Sequence, residues 1–161
     1  MRKLICMACA IMMFSATCLV TDAGDTDTYL TEEIQSYCVE IGDEYGACPE
    51  LLMAIIESES SGKPTAKNGS CKGLMQVSEK WHKDRMARLG VTDIYDPYGN
   101  ILVGTDYLME LADKHEDIGM VLMVYNGDSN AKKYLNGEAD LSKYARKILE
   151  RSAELERKHG K

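Results

Sequence analysis

The chain has 161 residues, with 19 Lys and Arg against 26 Asp and Glu, for a formal net charge of −7. A chain this acidic offers no positive field for a phosphate backbone, so nucleic acid falls outside the expected partners. Its length suits one domain with one hydrophobic core once an N-terminal leader is set aside.

Arg2-Lys3 forms a short basic region, Leu4 to Val20 is almost wholly apolar or small, and the first acids arrive at Asp22 and Asp25. This is the three-part layout of a secretory signal with cleavage near Ala23. The expected organisation is a signal peptide over 1–23, a short flexible lead-in over 24–28 and a single domain over 29–158. The protein is expected to be exported, and to meet a membrane only through the leader if it stays uncleaved. As a membrane span that stretch is short and lacks a positive flank on its C-terminal side. Of six cysteines, Cys38, Cys48 and Cys71 lie beyond the leader. A Cys48–Cys71 bridge would bracket residues 49–70, and three small buried thiols are the alternative.

From Tyr29 to Tyr45, Ile34, Cys38, Ile41 and Tyr45 recur at helical spacing, with Gly46 as the stop. Pro49 suits the first position of a second helix, which Ser60-Ser61-Gly62-Lys63-Pro64 ends. Thr65 to Gln76 is too polar and Gly-rich for a helix, and Lys72 to Val77 reads as a short hairpin or extended piece. Ser78 is expected to cap a helix running through Trp81 and Met86 to Leu89, closed by Gly90. Asp96-Pro97 opens the next helix, another spans Ile118 to Tyr125, and after a loop over Asp128–Gly137 the last runs from Leu141 to Lys158. The fold class is therefore mainly α with one small β element.

The second helix contains an uninterrupted apolar run, Leu51-Leu52-Met53-Ala54-Ile55-Ile56, closed by Glu57. Such a run reads as a helix buried on all sides. A carboxylate at its exit loses water, and desolvation raises its pKa toward that of a general acid working near neutral pH. Helical spacing places Glu59, rather than Glu57, nearer the side shared by Leu52 and Ile55.

Glu57-Ser58, the polar loop after it and Gly73-Leu74-Met75-Gln76 resemble the opening motifs of the lytic transglycosylase (SLT) family. That family has a lysozyme-like fold and cleaves the glycan strands of peptidoglycan. The resemblance continues through Asn100-Ile101, Gly104 to Leu108, Val124-Tyr125-Asn126-Gly127 and Tyr144-Ala145, in family order. It favours Glu57 as the catalytic acid, because the family's glutamate is followed directly by Ser. It further implies that Ser58, Met75 and Gln76 contact substrate, that Tyr125 orients the acid while Asn126 meets the sugar, and that Tyr144 faces the cleft. The chain departs from the family pattern at Ser70-Cys71-Lys72 and at Asp140-Leu141.

The implied reaction uses one carboxyl group. It protonates the oxygen between N-acetylmuramic acid and N-acetylglucosamine, then takes the proton of the muramyl 6-hydroxyl as a 1,6-anhydro ring closes. No cofactor is implied, and His82, His115 and His159 lack the spacing of metal ligands. The expected partners are peptidoglycan glycan strands, met by a monomer at the cell wall, with an envelope-spanning secretion or conjugation apparatus as a working context. A lysozyme-type hydrolase and an inactive wall-binding module are the rival readings.

Overall fold

The computed structural model describes residues 28–161; the expected leader and residues 24–27 of the lead-in lie outside them. Seven helices and one small sheet make up these residues: α1 (Glu32–Tyr45), α2 (Pro49–Ser60), β1 (Lys67–Asn68), β2 (Cys71–Lys72), β3 (Val77–Ser78), α3 (Lys83–Leu89), α4 (Pro97–Lys114), α5 (Ile118–Tyr125), α6 (Ala131–Leu135) and α7 (Lys143–Lys158). The strands form an antiparallel meander in the order β1-β2-β3. The expected mainly helical class with a small β element is what the chain forms. No helix among the described residues is long and apolar enough to cross a membrane.

α2 is the axis of the fold. It packs against both α1 and α7, while α5 joins α4 to α7. Every residue from Pro49 to Glu57 is buried, as an apolar run without a polar stripe requires. Pro49 starts it without sacrificing a hydrogen bond, and Ser61 ends it in the left-handed conformation at φ 52°.

Three boundaries differ from expectation. α1 begins at Glu32 behind a Thr31 cap, because Thr28 and Tyr29 turn back onto α2 instead of joining a helix. Ser78 belongs to β3 and residues 79–82 form turns, so α3 starts only at Lys83. The loop after α5 contains the five-residue α6, too short to leave a periodic signature. α7 is capped by the Ser142 hydroxyl, which accepts from the Ala145 N–H. Cys48 and Cys71 are not bridged: Cys48 is buried at the start of α2, where its thiol donates to Glu50, and Cys71 lies half-buried in β2.

Candidate active site

Helix geometry sorts three carboxylates of α2 onto two faces. Glu50 and Glu57 are seven residues apart and share a side, whereas Glu59 sits roughly 200° around from Glu57. The first two face α7 and its C-terminal extension. Glu50, 1% exposed, receives His159 Nδ1 and Lys161 Nζ, each at 2.8 Å. Burial pushes its carboxyl up, but the hydrogen bonds from Lys161 and His159 outweigh that and hold it at about 2.

Glu57 is gripped in the same way. Arg151 donates through Nε to Oε2 at 2.6 Å and through Nη2 to Oε1 at 3.0 Å, a two-pronged pair. Thr28 adds its hydroxyl to Oε1 at 2.6 Å, and the Tyr29 hydroxyl donates to the Glu57 carbonyl at 3.0 Å. Both carboxylate oxygens are thus occupied. Ser58 lines the same α2–α7 hollow as Glu57 and Arg151. Glu57, the acid that the resemblance implies, and Ser58 thus line this hollow and not the cavity bordered by Gln76 and Tyr125. The physical reason is the register of α2, which turns this face toward α7.

Glu59 meets a different environment. Its Oε1 accepts from the Tyr144 hydroxyl at 2.5 Å, and no cation pairs with it among the described residues. Burial raises its pKa, and the Tyr144 hydrogen bond offsets only part of that rise. The carboxyl also bears on Tyr125, whose own hydroxyl is driven far up, first by burial and then by the Glu59 charge. Glu59 nevertheless stays half-buried and not sealed. Tyr144, from α7, the cleft residue that the resemblance implies, is thus the partner of Glu59.

The Gly73–Gln76 loop is fixed beside it by α4 and α5. Asn100, fully buried, accepts from the Met75 N–H at 2.8 Å and donates through Nδ2 to the carbonyls of Ile94 (2.8 Å) and Lys72 (2.9 Å). Gly73 has φ +77°, and a Cβ there would lie 2.2 Å from Asn100 Nδ2, so only glycine fits. Tyr125 completes the clamp by donating to the Met75 carbonyl at 2.9 Å. The Met75 side chain is fully buried over Gly104, where a Cβ would come 2.6 Å from its sulfur. Met75 thus supports the cleft floor from below and does not line it. Gln76 adopts φ 50°, an uncommon conformation for a residue with a side chain. Its Nε2 donates to Gly73 at 2.8 Å, and its Oε1 has no partner among the described residues.

Gln76, Tyr125 and Asn126 border an open cavity of about 540 Å³ that extends to β3 and the start of α3. Gln76, Tyr125 and Asn126 thus meet at this cavity, while Tyr144 pairs with Glu59, whose charge reaches Tyr125. The helical wheel of α2 favours Glu59, and Glu-Ser occurs twice, at Glu57-Ser58 and Glu59-Ser60, so a following Ser does not discriminate between the two.

The Transglycosylase SLT domain family matches residues 36–147 of the chain, well over half its length. The chain belongs to the transglycosylase SLT family. A transglycosylase of Enterobacteria phage PRD1 is 34% identical to this SLT domain protein over 107 residues, covering 66% of the chain. The chain spans only 38% of that relative. The lytic transglycosylase Slt of Pseudomonas aeruginosa, solved as an inactive mutant, matches the SLT fold with a TM-score of 0.67 and 18% identity. That match covers 78% of this chain and 24% of the other, and it speaks to the fold alone.

Proposed function

We propose that this SLT protein is an exported peptidoglycan lytic transglycosylase and that Glu59 is its single acid and base. One observation carries the reading: Glu59 is a desolvated carboxyl with a phenol, not a cation, for company, and its charge reaches Tyr125 on the cavity wall. A carboxyl so placed holds its proton to higher pH and can deliver it to a glycosidic oxygen.

The protonated Glu59 donates to the oxygen joining N-acetylmuramic acid to N-acetylglucosamine, and that bond breaks. The resulting carboxylate then takes the proton of the muramyl 6-hydroxyl, whose oxygen closes onto C1 to give a 1,6-anhydro end. Tyr144 steadies the carboxylate through its 2.5 Å hydrogen bond while the proton is away. Glu110, another carboxylate on the cavity, is tied to Arg85 and Lys114 and held at about 2, with the two cations as the main cause. It is poorly placed to serve as a free second base, which favours ring closure over the two-carboxylate hydrolysis of most glycosidases.

Export follows from the signal-like residues 1–23 and from a substrate that lies outside the cytoplasm. Action as a monomer at the wall, beside an envelope-spanning secretion or conjugation apparatus, belongs to the same proposal. Mass spectrometry of digested sacculi tests the chemistry. Anhydromuramyl ends are expected; reducing ends would instead make the protein a hydrolase, and intact sacculi would leave it a wall-binding module.

A further inference from the structure

Trp81 is 77% exposed although it lies beside a cavity, and it is the one tryptophan in the chain. A large aromatic kept in water without a packing role is an unusual surface residue. It continues a row of rings along the cavity wall. Tyr125 lies 5.4 Å from Tyr107, and Tyr107 lies 4.5 Å from His82, the neighbour of Trp81. The row therefore starts at a ring that feels the Glu59 charge and ends at an open indole.

The polar groups along this wall are underused. Ser78 lines the cavity, is 6% exposed, and its hydroxyl has no hydrogen-bond partner among the described residues. A buried hydroxyl left so is costly unless something else satisfies it. His82 Nδ1 accepts from Arg85 Nε at 3.3 Å, which leaves the proton of a neutral ring on Nε2. Burial, with Arg85 next, lowers the pKa of that ring and keeps it neutral. Arg85 itself is spent on Asp106 and Glu110, and at the open end Lys80 Nζ lies over the Trp81 ring at 5.5 Å, on a flexible surface side chain that a sugar can displace.

We infer that Trp81, Ser78 and His82 form a glycan subsite, remote from the reacting bond, that holds one N-acetylated pyranose of the strand. The apolar face of the sugar lies on the indole. Ser78 Oγ and the His82 ring N–H meet its hydroxyl or acetamido oxygens. The inference rests on the glycan-cleaving reading above and adds to it a dependence on strand length.

The single tryptophan makes the test direct. Full-length protein carrying Glu59→Gln, which keeps the ligand intact, is titrated with tetra-N-acetylchitotetraose and with glycan strands freed of peptide, while Trp81 emission is followed. A saturable blue shift is expected, and adding Ser78→Ala should weaken the apparent affinity about fivefold. With Glu59 intact, Trp81→Ala should raise KM on sacculi about tenfold and leave kcat within about twofold, because stacking far from the bond contributes to binding and not to chemistry. Unchanged Trp81 emission at saturating glycan, or an unchanged KM in Trp81→Ala, overturns the subsite. Failure of the functional reading looks different: Trp81 responds to glycan, yet the unsubstituted protein releases no fragments from sacculi.

Discussion

The two ends of the dipeptide repeat Glu57-Ser58-Glu59-Ser60 show how little separates a structural carboxylate from a chemical one. Glu57 and Glu59 lie two residues apart on one helix and both lose most of their water. Glu57 turns toward α7 and finds a guanidinium, a threonine hydroxyl and no opening to the sheet-side cleft. Glu59 lies on another side of α2 and finds a single phenol, Tyr144, with its charge reaching Tyr125. The identity of the residue is constant; only the environment changes. A cation cancels the cost of burying a carboxylate, whereas burial without one is what turns a carboxylate into an acid.

The comparison predicts its largest effect at Glu59. Glu59→Gln should lower the rate of glycan release by about 10³, within the usual range for a positioned general acid, with the circular dichroism spectrum unchanged. The substitution should also make the fold firmer near neutral pH. The folded protein holds the Glu59 proton more tightly than the unfolded chain, so this group favours folding at low pH. That contribution is lost as pH rises through its raised value. Thermal melts at several pH values would show the gap between Glu59→Gln and the parent protein opening on the alkaline side.

Glu57→Gln should do the reverse. It leaves Arg151 partly buried against a neutral amide and is expected to cost about 2–3 kcal/mol in a urea melt, given the partial exposure of the guanidinium. Its kcat should stay close to that of the parent. A folded Glu57→Gln protein with no activity would collapse the distinction between the two faces.

A smaller effect is expected at Tyr144. Tyr144→Phe removes the donor that favours the Glu59 carboxylate, so the Glu59 pKa should rise further. Because activity falls as pH rises through that value, the alkaline limb of kcat/KM should move to higher pH. The rate at the optimum should drop about tenfold, the usual worth of a hydrogen bond to a charged group. The smallest change belongs to the other face: Thr28→Val, which deletes the hydroxyl's bond to Glu57 and the one it accepts from the Leu30 N–H, should cost about 1–2 kcal/mol and leave the pH profile in place.

Much of this was legible in the residues. The apolar run Leu51–Ile56 announced a helix buried on all sides, and α2 is one. Pro49, Gly46, Gly90 and Asp96-Pro97 marked helix ends because proline and left-handed glycine impose local conformations that tertiary contacts rarely override. Of the motif residues, Gln76, Tyr125 and Asn126 border one cavity and Tyr144 bonds Glu59. Other features were illegible for definite reasons. α6 is too short for a period, Met75 reads as apolar whether it lines a cleft or lies beneath it, and Trp81 carries no sequence mark of exposure.

By itself, the sequence determined a mainly helical domain, its family and a short list of cleft residues, since these rest on local periodicity and ordered motifs. It also placed two candidate glutamates at the end of α2. Which of them is paired with a cation was a tertiary decision. Arg151 stands 94 positions from Glu57, and Tyr144 stands 85 from Glu59. No local rule reports which of two such distant side chains will arrive at which face, because that depends on how α7 packs against α2.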